Sequence, residues 1–370
     1  MHLENIILTN FKNYENETFH FSPEINCLTG KNGGGKTNVL DAIYFSCITR
    51  SAFQNKDNVL LYPQSDFYLI NSIFKDKNEE FDIKASFQKR KKKVFKIKGR
   101  AYEKLSEHIG RFPVVMVTPY DTDLIREGSE FRRKFFDGIL CQYDRQYLQD
   151  LVKYNTILKT RNSLLKHFHD QRYFDKDLLE TYDSQLFPLN ISLAEKRTVF
   201  LHSFNNYFIT HYNFLCSATS EEVTLTYKSN ITEKMESDFL ANREKDKILQ
   251  RTSIGVHRDD YIFKLNHHPV KQMGSQGQQK SFILALQLAK FSILHEKKET
   301  KPILLLDDIF DKLDESRINR LIELMTNQQF GQVFITDASN SRVRNFIKDI
   351  AIKIRLITIE DGKLKNTENI

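Results

Sequence analysis

Gly30-Lys31-Asn32-Gly33-Gly34-Gly35-Lys36-Thr37 is the stretch on which the reading of this chain turns. It fills every fixed position of G-x-x-x-x-G-K-[ST]. Before it, Ile25-Asn26-Cys27-Leu28 reads as a short strand. After it, Leu40, Ile43, Tyr44, Cys47 and Ile48 recur at the spacing of one helix face. Strand, glycine loop and helix are the setting a phosphate-binding loop requires. Glycines admit positive φ and bring N–H groups against phosphate, and the helix start adds partial positive charge. Lys36 is placed to reach the β and γ phosphates, and the Thr37 hydroxyl to ligate magnesium. The alternative is a glycine-rich turn that ends in Lys-Thr by accident.

A second stretch argues against accident. Ile303-Leu304-Leu305-Leu306 is a continuous apolar run, as in a strand covered on both faces, and it ends in Asp307-Asp308. A carboxylate there holds magnesium beside a phosphate loop, and Asp307 is the candidate metal residue. Asp308 is the candidate general base, a role typically worth about 10²–10⁴-fold in rate, and with Lys36 makes up the candidate catalytic pair. A third stretch, Gly274-Ser275-Gln276-Gly277-Gln278, precedes an apolar helix and puts Ser275 and the Gly277 amide at a helix start, a place that welcomes anions.

Around these motifs the pattern changes twice. Residues 1–120 are strand-like. Ile6-Ile7-Leu8, Phe19-His20-Phe21 and Ile25–Leu28 suggest a small β-meander, residues 66–100 alternate as a hairpin, and Val114–Val117 is a further strand. Residues 121–250 are helical in pattern and nearly free of breakers, with only Gly128, Gly138 and Pro188, which predicts a separate lobe of antiparallel helices. Mixed α/β texture returns over 251–370, with strands predicted at Gln332–Thr336 and Ile354–Thr358.

The 370 residues allow two or three structural units without staples. No apolar run exceeds five residues (Phe282–Leu286), so no segment of the sequence reads as a membrane span, and no secretion signal is evident at the start. Cys27, Cys47, Cys141 and Cys216 show no metal spacing and read as reduced thiols of a cytoplasmic protein. The 29 Phe and 15 Tyr read as core filler more than as base-stacking platforms. Charge is concentrated. Lys89 to Arg100 holds eight basic residues and no acid, one more than the whole chain's net +7, so the other 358 residues are acidic by one charge. Alone, that run is a solvated hairpin tip or an anion-binding patch.

In this order the motifs resemble the ABC-type ATPase heads of the SMC group, with an insertion over 121–250 too short for an SMC arm. The similarity is greatest to the RecF family and covers essentially the full chain. It is carried by Leu8-Thr9-Asn10-Phe11-Lys12-Asn13-Tyr14, Gly30–Thr37, Glu130-Phe131-Arg132-Arg133-Lys134-Phe135-Phe136-Asp137, Gly255-Val256-His257-Arg258-Asp259-Asp260, Ser275-Gln276-Gly277-Gln278-Gln279-Lys280 and Leu305-Leu306-Asp307-Asp308-Ile309-Phe310. The RRxFxD and GxHRDD stretches are the most specific.

The resemblance implies an α/β, ABC-type ATPase head, a P-loop mixed sheet with a β-rich lobe, plus a helical lobe inserted mid-chain. It also implies ATP and Mg2+ as cofactors, and an ATP-dependent homodimer in which Ser275, Gln276, Gly277 and Gln278 of one chain close over the γ-phosphate held by the other. The partners implied are gapped or junction DNA, with RecO and RecR, to help RecA onto single strands. Lys12-Asn13 would reach the nucleotide from an early strand, or else form a polar hairpin turn. Lys312-Leu313-Asp314 looks like the D-loop of such heads.

Three departures stand out. Pro119-Tyr120-Asp121 replaces the common Pro-Glu-Asp and leaves the Q-loop glutamine unplaced; Thr336-Asp337-Ala338 lies where many ABC proteins carry His; Asp308 replaces the usual Glu, which fits slow hydrolysis used as a release timer. Arg132 and Arg133 open a helix, where cations are disfavoured, and point to an anion or to Asp137. His257-Arg258-Asp259-Asp260 is expected to form an ion-pair network holding the two lobes. Competing readings are a nucleotide-binding subunit of a transporter-like or other SMC-type complex, and a small-molecule kinase, which should lack the Ser-Gln-Gly-Gln loop.

Overall fold

The computed structural model describes residues 1–216, 221–309, 314–327, 329–347 and 353–370. The chain forms two compact units. The first comprises residues 1–121, 211–217 and 280–370; the second comprises 122–210 and 218–279.

In the first unit, two six-stranded sheets face a common core. One is antiparallel throughout, in the order Tyr14–His20, His2–Phe11, Phe67–Asp76, Glu79–Gln88, Val94–Ile97, Arg100–Ala101. The other runs Lys363–Asn369, Ile354–Glu360, Ile25–Thr29, Val333–Asp337, Ile303–Leu306, Val114–Val117, and is parallel except for its first pair. The residues Ile25–Leu28 therefore do not continue a meander. Ile25–Thr29 is buried along its whole length and sits mid-sheet, its Asn26 side chain satisfied by the Ser22 amide and carbonyl (2.7 and 2.8 Å), whereas the alternating His2–Phe11 needs cover on one face only.

The helix Lys36–Ile48 lies in the core between the sheets. Leu8 and Phe11 from one sheet, Leu28, Leu305 and Phe334 from the other, and Val39, Leu40, Ile43 and Phe45 from the helix form one cluster. The sequence pattern picks out a single apolar face; the structure buries this helix on several, with Val39, Ala42 and Phe45 joining the predicted positions. Parallel pairing puts the C-terminal ends of Ile25–Thr29, Ile303–Leu306 and Val333–Asp337 at one edge, where an open α/β sheet holds its ligands.

The second unit is not purely helical. It contains the helices Ser129–Tyr143, Arg145–Gln171 and Met235–Leu249 and most of the 40-residue Lys176–Leu215. It also contains an antiparallel sheet, His268–Pro269, Asp260–Leu265 and Val223–Lys228, against which Ser129–Tyr143 packs through Phe136 and Tyr261 at 4.0 Å between ring centroids. This corrects the expectation of a helical lobe ending at 250. Tyr261, Phe263 and Leu265 alternate on one strand face, so residues 251–279 have an apolar surface to bury and group with the second unit.

Candidate functional site

Where the strand Ile25–Thr29 ends, the backbone turns through Gly30 at φ +140°, Gly33 at +80° and Gly35 at +115°. At two of these positions an added side chain would collide with its neighbours. A Cβ on Gly30 would lie 2.0 Å from the Ile359 carbonyl oxygen, and one on Gly35 would lie 2.5 Å from both Asn13 Nδ2 and the Tyr14 hydroxyl. The loop is thus pressed from two sides, by the Ile354–Glu360 strand and by the residues following His2–Phe11. The Tyr14 hydroxyl donates to the Gly35 carbonyl at 3.0 Å, Asn13 Nδ2 to that of Gly34 at 3.3 Å, and the Gly362 amide to Gly34 at 3.0 Å. Asn38 Nδ2 donates to Asn13 Oδ1 at 2.7 Å. At Gly33, by contrast, a Cβ would meet nothing within 4 Å, so the loop opens on that side.

Lys36–Ile48 begins at Gly35 with no side-chain cap and no acid in its first turn, which leaves its positive end for an anion. Lys36 Nζ folds back onto the carbonyls of Gly30 (2.7 Å) and Lys31 (2.9 Å). Loss of solvent draws the Lys36 ammonium below its usual pKa, opposed by the nearby carboxylates of Asp308, Asp307 and Asp337.

Thr37 and Asp307, 270 residues apart in sequence, meet: the Thr37 hydroxyl donates to Asp307 Oδ1 at 2.8 Å. Thr336, at the end of the neighbouring strand, donates to the same oxygen at 2.9 Å and accepts from the Asp308 amide at 2.9 Å. Burial lifts the Asp307 carboxyl above the usual carboxylate range, while the two hydroxyls pull it down. A hydroxyl and a buried carboxylate, both hard oxygen donors, fit a magnesium ion that keeps much of its water and phosphate coordination. Asp308 follows in the left-handed region, φ +45°, which redirects the chain as the strand ends.

Not every predicted residue lies on this edge in the same way. Lys12 Nζ is ion-paired to Asp41 at 2.6 Å, and Asp41, fully buried, also accepts from the Ser51 hydroxyl at 2.6 Å and the Ala52 amide at 2.7 Å. Lys12 thus neutralises a charge inside the helix, and Asn13 is the member of the pair that touches the phosphate loop. In the second unit, Ser275 accepts from the Gln278 amide at 3.2 Å while Gln278 Oε1 accepts from the Ser275 amide at 2.7 Å, a reciprocal cap at the start of Gln276–Lys298. Gln276 and Gly277 form its first turn. Lys312, Leu313 and Phe310 lie outside the described residues; Asp314 caps Glu315–Thr326 through the Arg317 amide at 3.0 Å. Gln287 Nε2, which the motifs do not single out, donates to Asp121 Oδ2 at 2.6 Å.

The run His257–Asp260, expected to tie the lobes together, instead joins Arg132 and Arg133, expected to meet an anion or Asp137, in building the second unit. Arg132 forms a two-pronged pair with Asp260 (2.8 and 3.0 Å), and Arg133 donates to the Asp259 carbonyl at 2.6 Å. Asp137 pairs with Arg197, which binds both carboxylate oxygens (3.0 and 2.9 Å), the Tyr147 hydroxyl and the Val256 carbonyl, and reaches Asp259 at 3.4 Å. All of these partners belong to that one unit. Besides these direct contacts, Arg197, outside both family-specific stretches, bridges Asp137 of one to Val256 and Asp259 of the other.

With this geometry in place, likeness to known proteins becomes specific. A family model described as RecF/RecN/SMC N terminal domain matches residues 2–359. A protein of Flavobacterium johnsoniae named DNA replication and repair protein RecF is 43% identical over 349 residues, 94% of this chain and 97% of its own. The chain belongs to the RecF family. A Cytophaga hutchinsonii RecF is 41% identical over 368 residues, 99% of this chain and 97% of its own. The solved structure of the recombination mediator protein RecF-ATP in the RecFOR pathway has a TM-score of 0.88 at 27% identity, covering 100% of this chain and 97% of that one. An Smc head domain from Pyrococcus furiosus, at 17% identity and TM-score 0.58, covers 100% of this chain and 96% of its own and shares the fold. The architecture is that of an ABC-type ATPase head.

Proposed function

We propose that this RecF-family chain is an ATP-dependent DNA-binding protein of recombinational repair and replication restart. ATP drives its dimerisation on gapped or junction DNA, where with RecO and RecR it helps RecA onto single strands. The observation that carries the reading is the meeting of Thr37, Asp307 and Thr336 beside Lys36. It supplies the polar half of a nucleoside triphosphate site in a chain whose relatives are named as repair proteins.

Each residue has a task. The loop amides and the uncapped helix start take the phosphates; Lys36 exchanges its two carbonyl contacts for β- and γ-phosphate oxygens; Thr37 and Asp307 hold magnesium. A magnesium ion held there would supply neutralisation of the phosphate charge. Thr336 fixes the Asp307 carboxylate and the Asp308 amide, so the Asp308 side chain leaves the turn in one direction, as a base orienting water needs. Ser275–Gln278 of one chain closes over the nucleotide of the other. Asp308, one methylene shorter than Glu, makes hydrolysis slow, and hydrolysis releases the dimer.

Lys36→Met should abolish nucleotide binding and with it ATP-dependent dimerisation, read by calorimetry and by sedimentation. A Lys36→Met chain that still dimerises on ATP overturns the sandwich. Single-turnover hydrolysis as fast as that of transport ATPases overturns the timer.

A further inference from the structure

The sheet register changes which residues of the basic run are available. Lys89 pairs with Asp66 at 2.8 Å, Lys98 with Glu79 at 3.2 Å, and Lys93 with Asp57 at 2.9 Å while lying over the Phe45 ring at 4.8 Å. Lys93 is only 12% exposed and serves the core. Arg90, Lys91, Lys92, Lys96 and Arg100 are exposed, and none is within ion-pair distance of an acid among the described residues.

The register adds a residue that the run itself does not contain. Lys84 stands directly opposite Lys96 across Glu79–Gln88 and Val94–Ile97, on the face turned away from the core. Two ammonium groups in register repel, and only Lys84 has an acid at hand, Asp82 at 3.1 Å. The same row crosses the sheet through Asn71, Ile7 and Thr18, and the Asn71 side-chain carbonyl has no hydrogen-bond partner. The row therefore contains no acid, and a like-charge pair lies at its basic end. Asp82 offsets only Lys84 of the pair, and an external polyanion can offset Lys96.

We infer that this outer sheet face and hairpin tip, Lys84, Arg90, Lys91, Lys92, Lys96 and Arg100, is a docking surface for the phosphate backbone of duplex DNA. The inference rests on the DNA-binding function proposed above and names its surface. The tip residues Arg90–Lys92 lie four to six positions beyond Lys96 along the hairpin. At about 3.3 Å per residue this gives a basic track on the order of 13–20 Å. Duplex DNA carries one negative charge per about 1.7 Å of axis, so such a track faces several phosphates at once. Ammonium and guanidinium groups on a sheet face and at a hairpin tip meet phosphates and read no bases, so binding is independent of sequence and steeply salt-dependent.

The test compares three full-length proteins with Mg-ATP on gapped duplex DNA between 50 and 300 mM NaCl: wild type, Lys91→Gln/Lys92→Gln/Lys96→Gln, and a charge-matched control, Lys153→Gln/Lys159→Gln/Lys166→Gln. The tip variant should bind at least about 10-fold more weakly at 100 mM salt and flatten the slope of log K against log[salt] by about 2–3. The control should stay near wild type. ATP affinity should be unchanged in both, and the melting temperature of Lys96→Gln unchanged or raised, since it relieves a repulsion. A tip variant with wild-type affinity and slope, or a control that falls equally, overturns this surface and leaves the DNA-binding function standing. A wild-type chain that binds no DNA at any salt overturns both.

Discussion

Asp307 holds two hydroxyls on one carboxylate oxygen, from Thr37 and from Thr336, in a position where burial alone would favour its neutral form. Asp307 and Thr336 stand at the ends of two neighbouring parallel strands and Thr37 in the first turn of the helix Lys36–Ile48, so removing one hydroxyl leaves the others aligned but short of a partner. Thr336→Val should therefore lower ATP hydrolysis by about 10- to 100-fold, the equivalent of the roughly 1.5–3 kcal/mol of a hydrogen bond to a charged group, and Thr336→Ser should restore most of it. Single-turnover assays check this. Gly35→Ala works through the backbone. Its Cβ meets Asn13 and Tyr14 at 2.5 Å and φ is +115°, so it should cost on the order of 1–3 kcal/mol of stability and abolish nucleotide binding, measured by denaturant melts and calorimetry. Residue spacing alone singled out Lys36, Thr37 and Asp307, because their motifs are local, and the structure brings the last two into contact. Resemblance placed Thr336 where many ABC proteins carry His but not its bond to Asp307, and Asp41 was not legible: an acid in a helix carries no signal until burial gives it partners.

At the scale of elements, the legible features were those that periodicity encodes. The buried strands Ile25–Thr29 and Ile303–Leu306 and the helix after the loop followed from apolar runs and a 3.6-residue repeat. The sheet of the second unit escaped because its strands are short and flanked by long helices. Its charged stretches escaped because Asp137 and Asp259 meet through Arg197, 60 and 62 positions away. Arg197 is buried and holds Asp137, Tyr147, the Val256 carbonyl and Asp259 together. Arg197→Ala strands those carboxylates and should cost about 3–5 kcal/mol, seen as a lower denaturation midpoint of the second unit. Arg197→Lys keeps the charge but loses the fork, and should recover only part of that loss.

Across the whole molecule, stability should depend on pH through buried histidines. Burial holds His108, His211 and His257 near pKa 4, against 6.5 when unfolded. Each folded pKa is depressed, so each neutral imidazole contributes stability that is present above about pH 6.5 and is lost as pH falls toward 4. Between those limits the unfolded chain binds more protons, and stability should fall by about 1.4 kcal/mol per pH unit for each histidine fully engaged. Melts from pH 4.5 to 7.5 should show this slope, and His211→Gln should remove one histidine's share of it.

The central claim is that nucleotide held by Lys36, Thr37 and Asp307 joins two chains on DNA. The most direct measurement is the mass of the complex on gapped duplex DNA with Mg-ATP, with Mg-ADP and without nucleotide. The account predicts two chains per DNA with Mg-ATP, persisting longer for Asp308→Asn, and at most weakly held single chains otherwise. An identical mass and lifetime under all three conditions would contradict it.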